Sequence, residues 1–284
     1  MAANRTLSDA ELETLADTLV LRRHPVALSE TIVPERDPRH GIPLAMLATL
    51  DAPTPGRLAE LELQDVIGRG GMGQVRRARQ IALSREVAVK TLHEHAHPRA
   101  GDELLQEALV MGALEHPNIV PVHLVGKDAR GGPLVVMKRI EGRSFGALIA
   151  EAPEDLDRHV RALIAACNAI HYAHAQGVLH RDIKPDNIMV GSFGEVYVLD
   201  WGVAVALEAP VAGLPSAATA QAAGTPRYMA PEMIRGEPLD VRADVYLLGA
   251  TLHHVLTGRG PHQGDEAMEV LRGALSRGPF TYEP

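Results

Sequence analysis

One run of eight residues constrains this chain more than any other: His180-Arg181-Asp182-Ile183-Lys184-Pro185-Asp186-Asn187. Asp182 and Asn187 stand five apart, with Lys184 two residues after the carboxylate. A carboxylate can accept a proton from a hydroxyl, and an amide oxygen can ligate a hard cation. A lysine between them can steady a moving anion. The plain alternative is a polar turn after a helix, because Pro and Asn favour turns. Partner motifs before and after the octet, always in one order, weigh against that alternative.

Composition narrows the classes first. The chain has 284 residues, 46% hydrophobic and only 3% aromatic, so Leu, Val and Ala must fill its core. The formal charge of −8 argues against a sequence-independent grip on nucleic acid. Its one cysteine, Cys167, rules out an internal disulfide and fits a reducing, cytoplasmic setting. Met1 to Glu11 has no apolar core of signal-peptide length. No uncharged apolar run approaches the roughly 18 residues of a membrane span.

Upstream of the octet, Leu61 to Ile67 alternates apolar with polar, as a half-buried strand does. Gly68-Arg69-Gly70-Gly71-Met72-Gly73-Gln74-Val75 follows and matches G-x-G-x-x-G-x-V. Glycines let a backbone approach phosphate and aim N–H groups at it. A glycine-rich hairpin satisfies the same pattern. A dinucleotide fingerprint would need a helix at the third glycine, whereas Val75 to Arg79 reads as a returning strand. Val87-Ala88-Val89-Lys90 is a β-type run whose lysine lies 17 residues past Gly73. The order glycine loop, then V-A-V-K, makes Lys90 a phosphate contact rather than a merely solvated strand end. His93, His95 and His97 read as a solvated loop rather than a metal site, given Pro98 and Gly101. Asp102 to Leu114 carries a helical apolar stripe with Glu107 inside it, nine residues before His116-Pro117-Asn118-Ile119-Val120.

These motifs together resemble the eukaryotic-type protein serine/threonine kinases, of the kind also found in bacteria. The resemblance runs from about Leu61 to the C-terminus. It implies an α+β fold of two lobes: a small β-rich lobe over about 61–137 with one key helix, a hinge at 138–141, and a larger helical lobe from 142. It implies a catalytic set of Asp182, Lys184, Asn187, Lys90 and Glu107. ATP would lie against Ile67, Gly68, Gly70, Gly73, Val75, Ala88 and Lys90, with Met137 as gatekeeper. Lys138 and Ile140 would line the adenine and Glu141 would meet the ribose. Asn187 and Asp200 would hold Mg²⁺ or Mn²⁺. The basic pair Lys138-Arg139 has no account in the sequence.

Beyond the octet, Glu195 to Leu199 is a strand delivering Asp200-Trp201-Gly202. The family has D-F-G here, and its phenylalanine packs under the Glu107 helix. Indole is bulkier, which would hinder an inactive flip. By the same resemblance, Asp200 to Glu232 is an activation segment whose phosphorylation, at Thr219 in first place, pairs with Arg181. Copies of the chain would associate to phosphorylate one another. Gly224 to Glu232 reads G-T-P-R-Y-M-A-P-E, the docking loop for a protein Ser or Thr acceptor. Thr225 would touch Asp182 and Lys184, and Asp244 would anchor the octet's backbone.

Along Leu156 to Ile170 one helical face is apolar and places Cys167 in the core; a helix from Asp244 to about Leu256 and another over Asp265 to Leu275 follow. Residues 1–60 read as an extension. Ser8-Asp9-Ala10-Glu11 caps a short helix to Val20, and six prolines then lie between Pro25 and Pro55 around a possible helix over Ile42 to Leu50. The resemblance implies further C-terminal helices, with an arginine for Glu232, that the chain does not reach. Two other readings share the fold: a nucleotide- or partner-binding module without turnover, and a small-molecule kinase. Phosphate transfer separates the first, and the peptide-docking loop disfavours the second.

Overall fold

The computed structural model describes residues 47–52, 60–71, 73–207 and 213–276. The helix expected over Asp9 to Val20 lies outside them. Five antiparallel strands make the small lobe: β1 (Leu61–Arg69), β2 (Gly73–Gln80), β3 (Arg85–Leu92), β4 (Val122–Lys127) and β5 (Pro133–Lys138). Their order is β1-β2-β3-β5-β4, which puts β2, β3 and β5 inside. β3 and β5 are apolar on two faces because a core lies on each side of the sheet there. On β5, Leu134 and Val136 join Leu61, Ala78, Val87 and Val89 on one side. Val135 faces the other way, onto Leu104 and Ala108 of helix α1 (Ala100–Ala113).

The small lobe reaches back past Leu61. Leu50 is buried within the same sheet core. Thr49 bridges Lys127 in parallel, with Leu50 N–H donating to Lys127 O at 2.9 Å and Lys127 N–H to Ala48 O at 2.8 Å. A short helix reaching Leu50 is therefore not formed over 47–50; those residues pair with the β4 edge instead. Gly126 makes room for this, since a Cβ there would fall 2.3 Å from Leu50 Cδ1.

The large lobe begins with the three-stranded sheet β6 (Gly142–Ser144), β8 (Ile188–Gly191) and β9 (Val196–Val198), and with helix α2 (Phe145–Glu151). Helix α3 (Leu156–Ala175) is capped by Asp155, whose side chain accepts from Arg158 N. Helix α4 (Pro231–Arg235) precedes α5 (Val241–Thr257), which starts at an Asp240 cap and ends on Gly258 at φ +73°, a left-handed turn suited to glycine. Helix α6 (Ala267–Ser276) completes the described residues. A two-stranded pair, β7 (Val178–Leu179) with β10 (Val205–Ala206), flanks the octet. Helices α3 and α5 share one core with Phe145, Ile183, Ile188 and Trp201. Cys167 packs against that core half-buried, and burial raises its thiol pKa, as expected of a packing residue rather than a nucleophile. Among the described residues no helix is long and apolar enough to cross a membrane.

Candidate active site

The octet sits between the lobes on a buried floor. Its backbone is pinned from below by Asp244 on α5, which is wholly buried. Asp244 Oδ2 accepts from His180 N–H at 2.9 Å, and Oδ1 from Arg181 N–H at 2.8 Å. His174 Nε2 donates to the same carboxylate at 2.8 Å. That grip fixes Arg181 at φ +67°, a left-handed conformation rare for a non-glycine residue. His180 is braced in turn: its Nε2 donates to Leu199 O at 2.9 Å, and its Nδ1 accepts from Asp182 N–H at 3.1 Å. The anchoring role expected of Asp244 is thus realised in two hydrogen bonds to the octet's backbone.

Asp182 is buried and its oxygens are held. Thr225 Oγ1 donates to Asp182 Oδ1 at 2.7 Å, and Asn187 Nδ2 to Oδ2 at 2.8 Å. Lys184 Nζ donates to Thr225 Oγ1 at 2.6 Å and lies 3.2 Å from Asp182 Oδ2. Carboxylate, lysine, amide and docking-loop hydroxyl therefore form one cluster. With its nitrogen committed to Asp182, the Asn187 side chain has its oxygen left as the group that suits a cation.

Above the floor, Lys90 Nζ donates to Glu107 Oε1 at 2.8 Å and Oε2 at 2.6 Å. The β3 strand and helix α1 bring the two together across 17 residues of chain. Burial opposes the Lys90 charge, but Glu107 and then Asp200 outweigh it and hold its ammonium above the ordinary pKa. Asp200 sits at φ +58° just after β9. A Cβ on Gly202 would lie 3.1 Å from Asp200 Oδ1 and 4.0 Å from Glu107 Oε2, so Asp200, Glu107 and Lys90 share one corner of the cleft.

The sheet carries the remaining expected residues. Gly68 and Gly70 lie at the β1 end, and Gly70 N–H donates to Gly73 O at 2.9 Å. Gly73 is demanded by the sheet itself: a Cβ there would fall 2.2 Å from Thr91 O. That close approach of β2 to β3 explains the third glycine without any ligand. Ile67 is exposed, Val75 pairs with Lys90, and Ala88 pairs with Met137 in register. Met137 packs toward Leu104 and Val135 beneath α1. Lys138, Ile140 and Glu141 follow at the connection between lobes.

Trp201 is fully buried beside His180, ring centroids 4.5 Å apart. Its indole N–H has no hydrogen-bond partner among the described residues. Arg181 is also buried, with Nε donating to Val203 O at 2.7 Å and Nη1 to Gln221 O at 2.9 Å, so it grips the backbone of the segment that follows Asp200. Among the described residues no group of three or more His, Cys, Asp or Glu could hold a metal. In the H-x-H-x-H tract, His93 Nε2 hydrogen-bonds to Gly70 O at 2.9 Å.

Sequence reasoning did not reach the His93 contact to the glycine loop, the Tyr228 hydroxyl on His254 or the Lys138 contact to Tyr197. None has a local signal, since each joins residues distant in the chain.

An ion-paired lysine over a buried Asp–Asn–Lys floor defines a class, and comparison with known proteins agrees with it. Residues 61–278 match the Protein kinase domain family, and the chain belongs to that family. It is 38% identical over 234 residues to the serine/threonine-protein kinase PknB of Mycobacterium tuberculosis, covering 80% of this chain and 37% of that protein. It is 37% identical over 215 residues to a probable serine/threonine-protein kinase of Corynebacterium efficiens, covering 74% and 32% respectively. PknB of Mycobacterium leprae matches at 37% over 234 residues, 80% of this chain and 37% of that protein. The chain thus spans 32–37% of the length of these bacterial relatives.

Proposed function

We propose that this chain is an ATP-dependent protein serine/threonine kinase. The observation that carries the reading is the closed Lys90–Glu107 ion pair standing over an Asp182 already hydrogen-bonded to Thr225 and Asn187. Phosphoryl transfer asks for positioning and charge neutralisation more than covalent chemistry. Lys90, steadied by Glu107, binds the α- and β-phosphates. Asp182 orients the acceptor hydroxyl and takes its proton. Lys184 neutralises the transferring group, and Thr225 keeps both side chains aligned. The strands carrying Ile67, Val75 and Ala88 cover the base, with Met137 behind it and the backbone of Lys138 to Ile140 at its edge. Glu141 meets the ribose.

Asn187 and Asp200 supply two hard oxygen donors, which fits Mg²⁺ or Mn²⁺ held partly by phosphates and water rather than by a protein cage. A bound cation supplies charge neutralisation between the phosphates. The substrate is a protein Ser or Thr presented in extended form along Gly224 to Glu232. Phosphorylation of Thr219, which is exposed, regulates the chain, one copy acting on another. As a domain division, 1–60 is an extension, whose Leu50 packs into the sheet core, and 61–284 the kinase domain.

Intact-mass analysis after incubation with MgATP, beside an Asp182→Asn control, tests the activity. Mass gained in phosphate steps by the parent alone is expected. Equal mass in both would refute phosphotransfer by Asp182. For regulation, Thr219→Ala should lower both phosphate uptake and activity, and the parent's uptake rate should rise with concentration.

A further inference from the structure

The hinge carries two adjacent cations, Lys138 and Arg139, that the phosphotransfer chemistry does not use. Their side chains go to opposite lobes. Lys138 Nζ donates to Tyr197 Oη and lies 4.7 Å from the centre of the Tyr197 ring. Tyr197 is buried on β9, three residues before Asp200. An ammonium over a tyrosine face gains more when the site is desolvated. Arg139 turns the other way. Its Nη1 donates both to Glu86 Oε2 on β3 and to Glu141 Oε1 just past the hinge.

Glu86 extends the contact across the sheet. Its Oε1 lies 3.5 Å from Arg77 Nη1 on β2, and Arg77 Nη2 lies 2.7 Å from Asp65 Oδ1 on β1. Asp65, Arg77, Glu86, Arg139 and Glu141 therefore alternate in sign from the strand that enters the glycine loop to the residue placed at the ribose. An isolated exposed pair contributes little. Here each inner member has a partner on either side, and the chain of charges ends at the cleft.

We propose that Lys138 and Arg139 brace the hinge from both lobes, Lys138 against Tyr197 and Arg139 against Glu86, and so hold the cleft near its nucleotide-binding opening before nucleotide arrives. Adjacent residues tied to opposite lobes resist rotation of one lobe about the hinge. A cleft held in its competent opening binds without first losing affinity to unproductive openings. The proposal rests on the nucleotide reading of the cleft and makes Lys138 and Arg139 positioning residues.

Tyr197→Phe removes the hydroxyl and keeps the ring; Glu86→Gln removes the charge. Hydrogen exchange over 138–142 is measured on the nucleotide-free parent, both single variants and the double variant, followed by calorimetric titration with MgADP. Hinge exchange should rise about threefold in each single and about tenfold in the double, with MgADP affinity falling by similar factors. KM for ATP should rise without a lower kcat. Lys138→Met should raise hinge exchange, and Lys138→Arg should keep it near the parent's. Parent-like exchange in the double variant overturns the brace, as does faster exchange spread evenly over both lobes. A parent that binds no MgADP overturns the nucleotide reading, while its exchange data still decide the brace.

Discussion

The floor and the roof of the cleft are built on different physical terms. On the floor, Asp182, Lys184, Asn187, Thr225 and Asp244 are all buried and hydrogen-bonded to one another or to the octet's backbone. On the roof, Ile67 and Val66 are exposed, and the ladder from Asp65 to Arg139 is made of pairs open to water. Buried polar networks are stiff, because any broken member leaves a desolvated group unpaired. Exposed pairs exchange cheaply with water. The catalytic groups of the floor are thereby aligned before the substrate arrives, whereas the roof is held by several pairs that are each weak. The Lys90–Glu107 pair stands between these regimes, with Glu107 buried and Lys90 about a fifth exposed.

The comparison breaks most easily at its chemical centre. Asp182→Ala should cost about 10³-fold or more in turnover while MgADP still binds, since base catalysis is worth about 10²–10⁴ and Lys184 loses one of its partners too. Initial rates and calorimetry read the two effects; parent-like turnover would remove Asp182 from the mechanism. One step down, Asp244→Ala should cost about 3–5 kcal/mol of stability in urea unfolding, because it orphans buried donors at His180 and Arg181. On the roof, Asp65→Ala should leave the urea midpoint close to the parent's, since exposed pairs contribute little. Similar losses for the two would erase the distinction.

Salt and pH sharpen it. Raising NaCl from about 0.05 to 0.5 M shortens the screening length severalfold and should speed exchange in β1 and β2 more than in 180–187. For acid, His254 is the group to follow. Its imidazole is held below the ordinary 6.5 chiefly by burial, with Asp186 pulling upward and His253 downward. Tyr228 Oη hydrogen-bonds with its Nδ1 at 2.6 Å, and burial keeps that hydroxyl well above its ordinary pKa, hence protonated. A depressed histidine pKa means that the folded state binds fewer protons than the unfolded. Its contribution is therefore present above pH 6.5 and is lost as pH falls through the lower folded value. The fall in Tm between pH 7.5 and 5.5 should be smaller in His254→Gln.

The smallest effect is expected at Trp201. Its buried, unpartnered indole N–H carries a cost of about 1–3 kcal/mol, and Trp201→Phe removes it. The smaller ring leaves space beside His180 that offsets the gain, so Tm should move by only about 3 °C either way. A large loss would mean that the indole volume itself supports the floor.

Much of the site was legible because its chemistry lies in short runs. The octet, V-A-V-K and G-T-P-R-Y-M-A-P-E each hold their groups at fixed spacing, and the structure brings Lys184 and Asp182 to Thr225 and Lys90 to Glu107. Periodicity also located α1, α3 and α5 to within a few residues, since their apolar stripes are long. Short helices such as Phe145–Glu151 and Pro231–Arg235 span too few turns to show a period. The glycine motif was only half legible. Its pattern names a loop, but the 2.2 Å approach to Thr91 O that demands Gly73 exists only once β2 and β3 pair.

By itself, the sequence determined which groups are present and their order along the chain, because spacing within a motif survives whatever the rest of the chain does. Tertiary structure alone decided which groups meet. Asp244 reaches back 63 residues to Arg181, Leu50 enters a sheet core past the expected start of the lobe, and Lys138 crosses to Tyr197. Those contacts depend on how strands register and helices pack, and no local pattern encodes a partner tens of residues away.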